Sequence, residues 1–168
     1  TMEDFYAFLK GEKYLPERSF VLTFDDGRKD SYYPADPLLK ALNYNAVMFA
    51  ATGSSLPEIT NNSKYYLSQK ELEKMVKSGR WDVQSHAVQI DGGFIKINSK
   101  HDKGNFLSNK MWYESDRRME NDEDYKKRIG DELANSKKTI EEKLITKVIS
   151  FSYPFGDYGQ QTENYDGA

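Results

Sequence analysis

Four short segments that read as strands, separated by segments with helical signals, most constrain the fold of this chain. They lie at residues 20–24, 46–51, 81–85 and 148–153, and each has the length of a buried strand. Short strands that alternate with helices are joined by right-handed crossovers and therefore run parallel. Strands that are apolar throughout are covered on both faces. The sequence therefore predicts an α/β fold built on a parallel sheet or barrel.

The helical segments have recognisable starts and apolar faces. Residues 3–10 read as a helix, and a proline in the first turn marks another over residues 36–42. Ser68 and Glu71 form a capping box at the start of a third helix. The clearest helix covers residues 121–144, where apolar positions recur in steps of three and four residues. These helices supply the crossovers between the strands.

Polar and turn-forming residues directly follow three of the four strands. Asp25 and Asp26 end the first strand, and His86 ends the third. A Tyr-Pro-Phe-Gly turn at residues 153–156 ends the fourth. The carboxyl ends of parallel strands lie on one face, which is where the sites of such folds are built. We therefore predict that these three segments converge at one site.

The pair Asp25 and Asp26 suggests a metal site. Adjacent carboxylates repel each other unless a positive charge neutralises them, and a divalent cation can bind one and leave the other as a base. Gly27 permits the tight turn that orients both side chains. An Asp-Gly hairpin turn would give the same pattern without a metal. The helical region that follows, rather than a paired strand, counts against the hairpin.

Candidate partners for the aspartate pair come from the third strand and the segment after it. A single histidine is more often structural than a ligand, but the position of His86 at a strand end favours metal binding. Asp91 is a second candidate ligand, and a simple turn explains it equally well. His101 lies in the long connection over residues 87–116, where a surface position is the alternative to a ligand role.

The turn at residues 153–156 has two interpretations. It can be a packed aromatic turn without a further role. Alternatively, Pro154 and Gly156 hold the backbone so that the N–H of Tyr153 points into a cleft, where it can stabilise an oxyanion.

Composition excludes several classes of function. Lys and Arg total 24 and Asp and Glu total 27, so the formal net charge is −3. This balance gives no electrostatic reason to expect nucleic acid or an anionic membrane as partner, and a neutral substrate fits it. The chain has no cysteine, which excludes disulfides, thiolate ligands and a cysteine nucleophile. No apolar run approaches the roughly 20 residues that a membrane span needs.

Together, these motifs resemble the polysaccharide deacetylase (NodB homology) family, carbohydrate esterase family four. Val-Leu-Thr-Phe-Asp-Asp-Gly at residues 21–27 resembles its first signature, and Gln-Ser-His at residues 84–86 resembles the start of its histidine motif. Phe-Ser-Tyr-Pro-Phe-Gly at residues 151–156 resembles its third motif. The long segment before the last helix is similar to the poly-N-acetylglucosamine deacetylase branch.

The resemblance implies a distorted (β/α) barrel and a divalent metal, with zinc expected. It implies hydrolysis of the N-acetyl group from N-acetylhexosamine units of a polysaccharide or oligosaccharide. By position it assigns the general base to Asp25, metal binding to Asp26 and His86, the oxyanion N–H to Tyr153, and substrate binding to Pro154, Phe155 and Gly156.

Three departures from the family pattern leave alternatives open. The family supplies a second histidine four or five residues after the first, where this chain has Ile90 and Asp91. The Asp91 carboxylate can replace that ligand, with His101 or water as alternatives. Many members have arginine at the position of Ser152, although the poly-N-acetylglucosamine branch lacks it. The histidine that acts as general acid belongs to motifs expected beyond residue 168.

The resemblance also implies an extracytoplasmic, cell-surface or secreted protein. We expect a single catalytic domain over residues 1–168 that continues beyond both ends. A carbohydrate-binding pseudoenzyme of the same fold is the alternative, supported by the absent second histidine. A phosphotransferase is a third interpretation. It is disfavoured because such sites space their two aspartates by one residue, and the sequence shows no Gly-rich phosphate loop.

Overall fold

A computed structural model describes residues 1–57, 63–88 and 93–165 of the chain. Its elements, in order, are α1 (Met2–Leu9), β1 (Thr23–Phe24), α2 (Lys29–Leu42), β2 (Ala46–Ala50), α3 (Thr52–Ser55), α4 (Gln69–Lys77), β3 (Trp81–Ser85), β4 (Phe94–Lys96), β5 (Lys103–Asn105), β6 (Trp112–Tyr113), β7 (Arg118–Met119) and α5 (Asp122–Leu144). A 3-10 turn at Pro154–Gly156 follows α5.

A parallel sheet forms the centre of the fold. The strands lie in the order β1-β2-β3, and β2 pairs with β3 along the full length of both strands. The chain after α5 extends this sheet beyond β3. Phe151 forms a parallel bridge with Ser85, and the Ser152 N–H donates to the Ser85 carbonyl at 3.0 Å. The predicted α/β class with a parallel sheet is confirmed.

The fourth predicted strand is a single bridge rather than a regular strand, because a side chain replaces part of its hydrogen-bond ladder. Gln84 is 1% exposed, and its Oε1 accepts the N–H groups of Ile149 and Ser150 at 2.9 and 3.0 Å. Its Nε2 donates to the Lys147 carbonyl at 3.0 Å. The segment therefore lies beside β3 as predicted, but a regular strand over residues 148–153 is wrong.

Helix α2 also differs from the prediction, since it begins at Lys29 and runs through Pro34 and Pro37. A start at residue 36 is therefore wrong. Tertiary packing accounts for the longer helix. Tyr32 in its first turn is buried, and its ring lies 5.6 Å from that of Trp81 on β3.

Two of the other predicted helix starts are confirmed by their caps, and the predicted first helix is α1. The Ser68 hydroxyl accepts the Glu71 N–H, and the Glu71 carboxylate accepts the Ser68 N–H at 2.7 Å. Burial raises the pKa of Glu71, but hydrogen bonds from Ser68 and Tyr33 outweigh it and lower the pKa to about 2. At the start of α5, Asn121 caps the helix by accepting the Asp124 N–H at 2.8 Å.

The core lies where α2, α4 and α5 pack on the sheet. Its fully buried members include Met48, Leu72, Met75, Val83 and Ile140. Burial of every residue of β2 is what the uninterrupted apolar character of that strand predicts. Within the described ranges, no helix is both long and apolar enough to cross a bilayer.

The long connection before α5 forms two small antiparallel hairpins, β4–β5 and β6–β7, rather than an irregular loop. A buried ion pair fixes them to α5. The Arg128 guanidinium donates to both carboxylate oxygens of Glu120 at 2.8 and 2.7 Å. It also donates to the carbonyls of Phe106 and Asn109 at 2.8 and 2.9 Å. This one side chain therefore joins three parts of the connection.

Candidate active site

The turn after β1 holds Asp26 in an unusual backbone conformation. Asp26 and Gly27 have φ values of 70° and 73°, in the left-handed region. Glycine is required at 27 for a second reason, since a Cβ there would lie 2.6 Å from the Ser55 Oγ. A non-glycine residue in this region costs about 1–3 kcal/mol and persists only where its surroundings enforce it. Such strain at Asp26 is typical of a functional site.

His86 lies at the end of β3 and is 5% exposed. Its backbone N–H donates to the Ala50 carbonyl at 3.1 Å. Its Nδ1 lies 2.8 Å from the carbonyl oxygen of Ser152. Because a carbonyl can only accept, Nδ1 carries a proton and donates it. The second ring nitrogen, Nε2, then faces Asp26 Oδ1 at 3.3 Å.

The Asp26–His86 contact fits a divalent ion. A hydrogen bond from His86 is the main cause that holds the pKa of Asp26 below its ordinary value, which is the contact that a doubly protonated ring makes. In the neutral ring Nε2 presents a lone pair instead, and a divalent ion between the two atoms would neutralise the carboxylate. Two ligands at about 2.1 Å from a tetrahedral ion lie about 3.4 Å apart. The donor types and the 3.3 Å spacing therefore fit a zinc-type ion.

His101, the other candidate ligand among the described residues, is not part of this contact. Across residues 1–57, 63–88 and 93–165, no group of three Asp, Glu, His or Cys side chains is arranged to hold a metal. Asp91 lies outside the described residues, so its ligand role stays a prediction. The Nε2 of His101 lies 3.0 Å from Glu114, on an exposed part of the hairpins.

Ser152 links the base candidate to His86. Its carbonyl accepts from the His86 ring, while its hydroxyl lies 3.5 Å from Asp25 Oδ2, at the long limit of a hydrogen bond. Asp25 is itself exposed. A neutral hydroxyl therefore stands beside Asp25 where many members of the resembled family have an arginine. The strand ends thus bring Asp25, Asp26 and His86 together, as predicted from their positions.

Tyr153 directly follows Ser152 and begins the predicted turn at residues 153–156. Its N–H has no acceptor among the described residues, whereas its carbonyl accepts the Gly156 N–H at 3.0 Å. Phe155 and Gly156 follow with φ values of 61° and 64°, which makes a tight turn. The free N–H is what an oxyanion donor requires. Its role, and the substrate role of Pro154, Phe155 and Gly156, stay predictions.

Several residues outside the predicted set hold the segment after His86. The Glu132 carboxylate on α5 accepts the Val88 N–H at 2.8 Å. From the other side, the N–H groups of Thr52 and Gly53 donate to the carbonyls of Ala87 and Val88 at 3.0 and 2.5 Å. A Cβ at Gly53 would lie 2.2 Å from the Val88 oxygen, so only glycine fits. The Thr-Gly pair after the second strand could have indicated this contact from the sequence. No sequence pattern indicates the role of Glu132.

The fold and site define an α/β protein with an acidic and imidazole centre at its strand ends. A family model described as polysaccharide deacetylase matches residues 12–167. The chain belongs to the polysaccharide deacetylase family.

Curated relatives are similar in sequence to part of this chain. Poly-beta-1,6-N-acetyl-D-glucosamine N-deacetylase of Staphylococcus aureus strain MSSA476 is 33% identical over 90 residues, which cover 54% of this chain and 30% of that protein. The protein of the same name from Escherichia coli strain K12 is 24% identical over 158 residues, covering 88% and 23%. The chain therefore spans less than a third of the length of these two relatives.

Solved structures share the fold. The BpsB deacetylase domain of Bordetella bronchiseptica matches with a TM-score of 0.81 and 25% identity, covering 92% of this chain and 62% of that one. The de-N-acetylase of Aggregatibacter actinomycetemcomitans matches with a TM-score of 0.79 and 23% identity, covering 92% and 61%. The predicted deacetylase-type fold is confirmed, and the parallel strands are consistent with a partial barrel.

Proposed function

We propose that this protein is a metal-dependent hydrolase that removes N-acetyl groups from N-acetylhexosamine units of an extracytoplasmic polysaccharide. The observation that carries the proposal is the 3.3 Å contact between Asp26 Oδ1 and His86 Nε2, beside the exposed Asp25. Membership of the polysaccharide deacetylase family supports the reaction class. The names of the curated relatives support poly-N-acetylglucosamine as the substrate.

In this proposal Asp26 and His86 would hold the divalent ion, with zinc expected and Asp91 as the expected third ligand. When bound, such an ion lowers the pKa of water and polarises the acetamide carbonyl. The Ser152 carbonyl keeps the proton of His86 on Nδ1, so Nε2 stays available as a ligand.

Two further groups of the chain act on the reacting atoms. Asp25 accepts the proton of the water that attacks the carbonyl carbon. The Tyr153 N–H donates to the carbonyl oxygen as negative charge develops there. The C–N bond then breaks, acetate leaves, and the sugar nitrogen takes the proton that Asp25 had accepted and becomes a free amine. The overall reaction is hydrolysis of one amide by one water.

We expect purified protein to release acetate from N-acetylglucosamine oligomers, because its site matches an activated-water mechanism. Dialysis against a chelator should stop this release, and added zinc should restore it. Acetate and free amine are both measured, since one of each forms per bond. Oligomer binding without acetate release, in the presence of zinc, would contradict the proposal and favour a carbohydrate-binding pseudoenzyme.

A further inference from the structure

A pair of exposed phenyl rings lies on the turn and hairpin that adjoin the candidate active site. Phe94 of β4 and Phe155 of the 3-10 turn have ring centroids 5.1 Å apart, inclined at 45°. They are 54% and 56% exposed. We call Phe94 and Phe155 the phenyl platform. Exposed apolar groups that cluster beside a site are a feature of ligand-binding surfaces.

The backbone keeps Phe155 in this exposed position. Its φ of 61° and ψ of 9° are unfavourable for a bulky residue, so the surroundings must enforce them. The Gly156 N–H donates to the Tyr153 carbonyl at 3.0 Å. The Gln160 side chain donates to the Gly156 carbonyl at 2.7 Å. These bonds on either side fix the turn that carries the ring.

A buried carboxylate joins the two segments that carry the platform. Asp157 is 1% exposed and accepts hydrogen bonds from the Asn105 amide and from the Ser108 hydroxyl. Asn105 pairs with Phe94 across the β4–β5 hairpin. The turn and the hairpin are therefore cross-linked, and both rings are held in place before any ligand binds. Such preorganisation reduces the entropy lost on binding.

Phe155 adjoins the site along the chain. Pro154 and Phe155 line a small cavity together with Ala87 and Gly93. Ala87 directly follows His86, and Tyr153, whose N–H is the proposed oxyanion donor, precedes Pro154.

We propose that the phenyl platform binds the apolar face of a sugar unit next to the one that loses its acetyl group. This inference rests on the proposed function. A hexopyranose unit presents C–H groups on its ring faces and hydroxyls at its rim. The C–H groups of a sugar face can pack on the apolar, electron-rich face of an aromatic ring. This contact needs no charge on the sugar. The protein therefore prefers oligomers to single N-acetylhexosamines.

Acetate release from N-acetylglucosamine oligomers of one to six units tests this preference. In the wild-type protein KM should fall as the oligomer lengthens. Phe94→Ala should raise KM for the hexamer by about tenfold, because one aromatic contact is lost, and should leave kcat nearly unchanged. Phe155→Ala should also raise KM for the hexamer. For the shortest oligomer that is hydrolysed, Phe94→Ala should not change KM.

Phe20→Ala is the matched control. Phe20 is 63% exposed and also lies in an aromatic pair, with its ring 5.5 Å from that of Tyr44. It precedes β1 and therefore lies at the opposite end of the sheet. Phe20→Ala should therefore leave KM unchanged at every oligomer length. An equal KM for wild type and Phe94→Ala at all lengths would overturn the inference, as would an equal rise in KM at all lengths.

A binding measurement separates this inference from the proposed function. The hexamer is titrated calorimetrically into chelator-treated protein, with and without Phe94→Ala. About tenfold weaker binding by the variant supports the platform, even if the wild type releases no acetate. Equal binding by both proteins overturns the platform, even if acetate release is normal.

Discussion

Asp25→Asn should lower kcat for acetate release by about 10²- to 10⁴-fold, the usual contribution of a general base. The amide has the shape of the carboxylate but cannot take the proton of the attacking water. Zinc affinity and KM should stay near the wild-type values, because the proposed ligands are Asp26 and His86, which contact each other without Asp25. Steady-state kinetics and a zinc titration on the same preparation measure all three quantities.

Asp30→Asn is the control for this variant. Asp30 is an exposed aspartate in the first turn of α2, bonded to Arg28, and it should be replaceable without loss of kcat. Normal turnover by Asp25→Asn would refute the assignment of the base. Loss of zinc binding in Asp25→Asn would show instead that Asp25 is a ligand.

Arg128→Ala should destabilise the protein by about 3–5 kcal/mol, the usual effect of removing one partner of a buried ion pair. The change leaves the Glu120 carboxylate, which is 2% exposed, without its charged partner. It also removes the donors to the carbonyls of Phe106 and Asn109. Thermal unfolding should show a Tm lower by roughly 10 °C, since about 1 kcal/mol shifts the Tm of a domain this size by roughly 2–4 °C.

The neighbouring residue supplies a matched control and a pH test. Lys127 forms an exposed ion pair with Asp131 on the same helix, and Lys127→Ala should cost less than about 1 kcal/mol. Burial raises the pKa of Glu120, but bonds from Arg128 and the Met111 N–H outweigh it and hold the pKa below its ordinary value. This stabilisation is present above the unfolded pKa of about 4.3 and is lost as pH falls through the folded value.

Arg128→Ala should therefore cost less at about pH 4 than at pH 7, because the unpaired Glu120 can then be neutral. Equal unfolding temperatures for Arg128→Ala and Lys127→Ala at pH 7 would contradict this account of the pair.

The sequence predicted those elements of the fold that are determined by interactions between residues close together in the chain. The strand over residues 46–51 and the Ser68 cap were predicted because apolar runs and capping boxes act within a few residues. The fourth strand was wrong because Gln84, more than sixty residues earlier, takes its backbone N–H groups. The start of α2 was wrong because burial of Tyr32 against Trp81 is a tertiary contact.

The location of the site could be predicted from the strand topology more than from any single motif. Parallel strand ends must share a face, and this placed Asp26 near His86 before any distance was known. The hydrogen bond from His86 to the Ser152 carbonyl and the Glu132 contact with Val88 join residues that are distant in sequence. Helix packing and hairpin geometry position Glu132 and Phe94, and neither leaves a local pattern.

The central claim is that Asp26 and His86 hold one metal ion beside the base. Anomalous diffraction at the zinc edge, from crystals of the zinc-loaded protein, tests it most directly. We expect one peak about 2.0–2.2 Å from both a carboxylate oxygen of Asp26 and Nε2 of His86. A zinc peak bound elsewhere, with Asp26 and His86 still in direct contact at 3.3 Å, would contradict the claim.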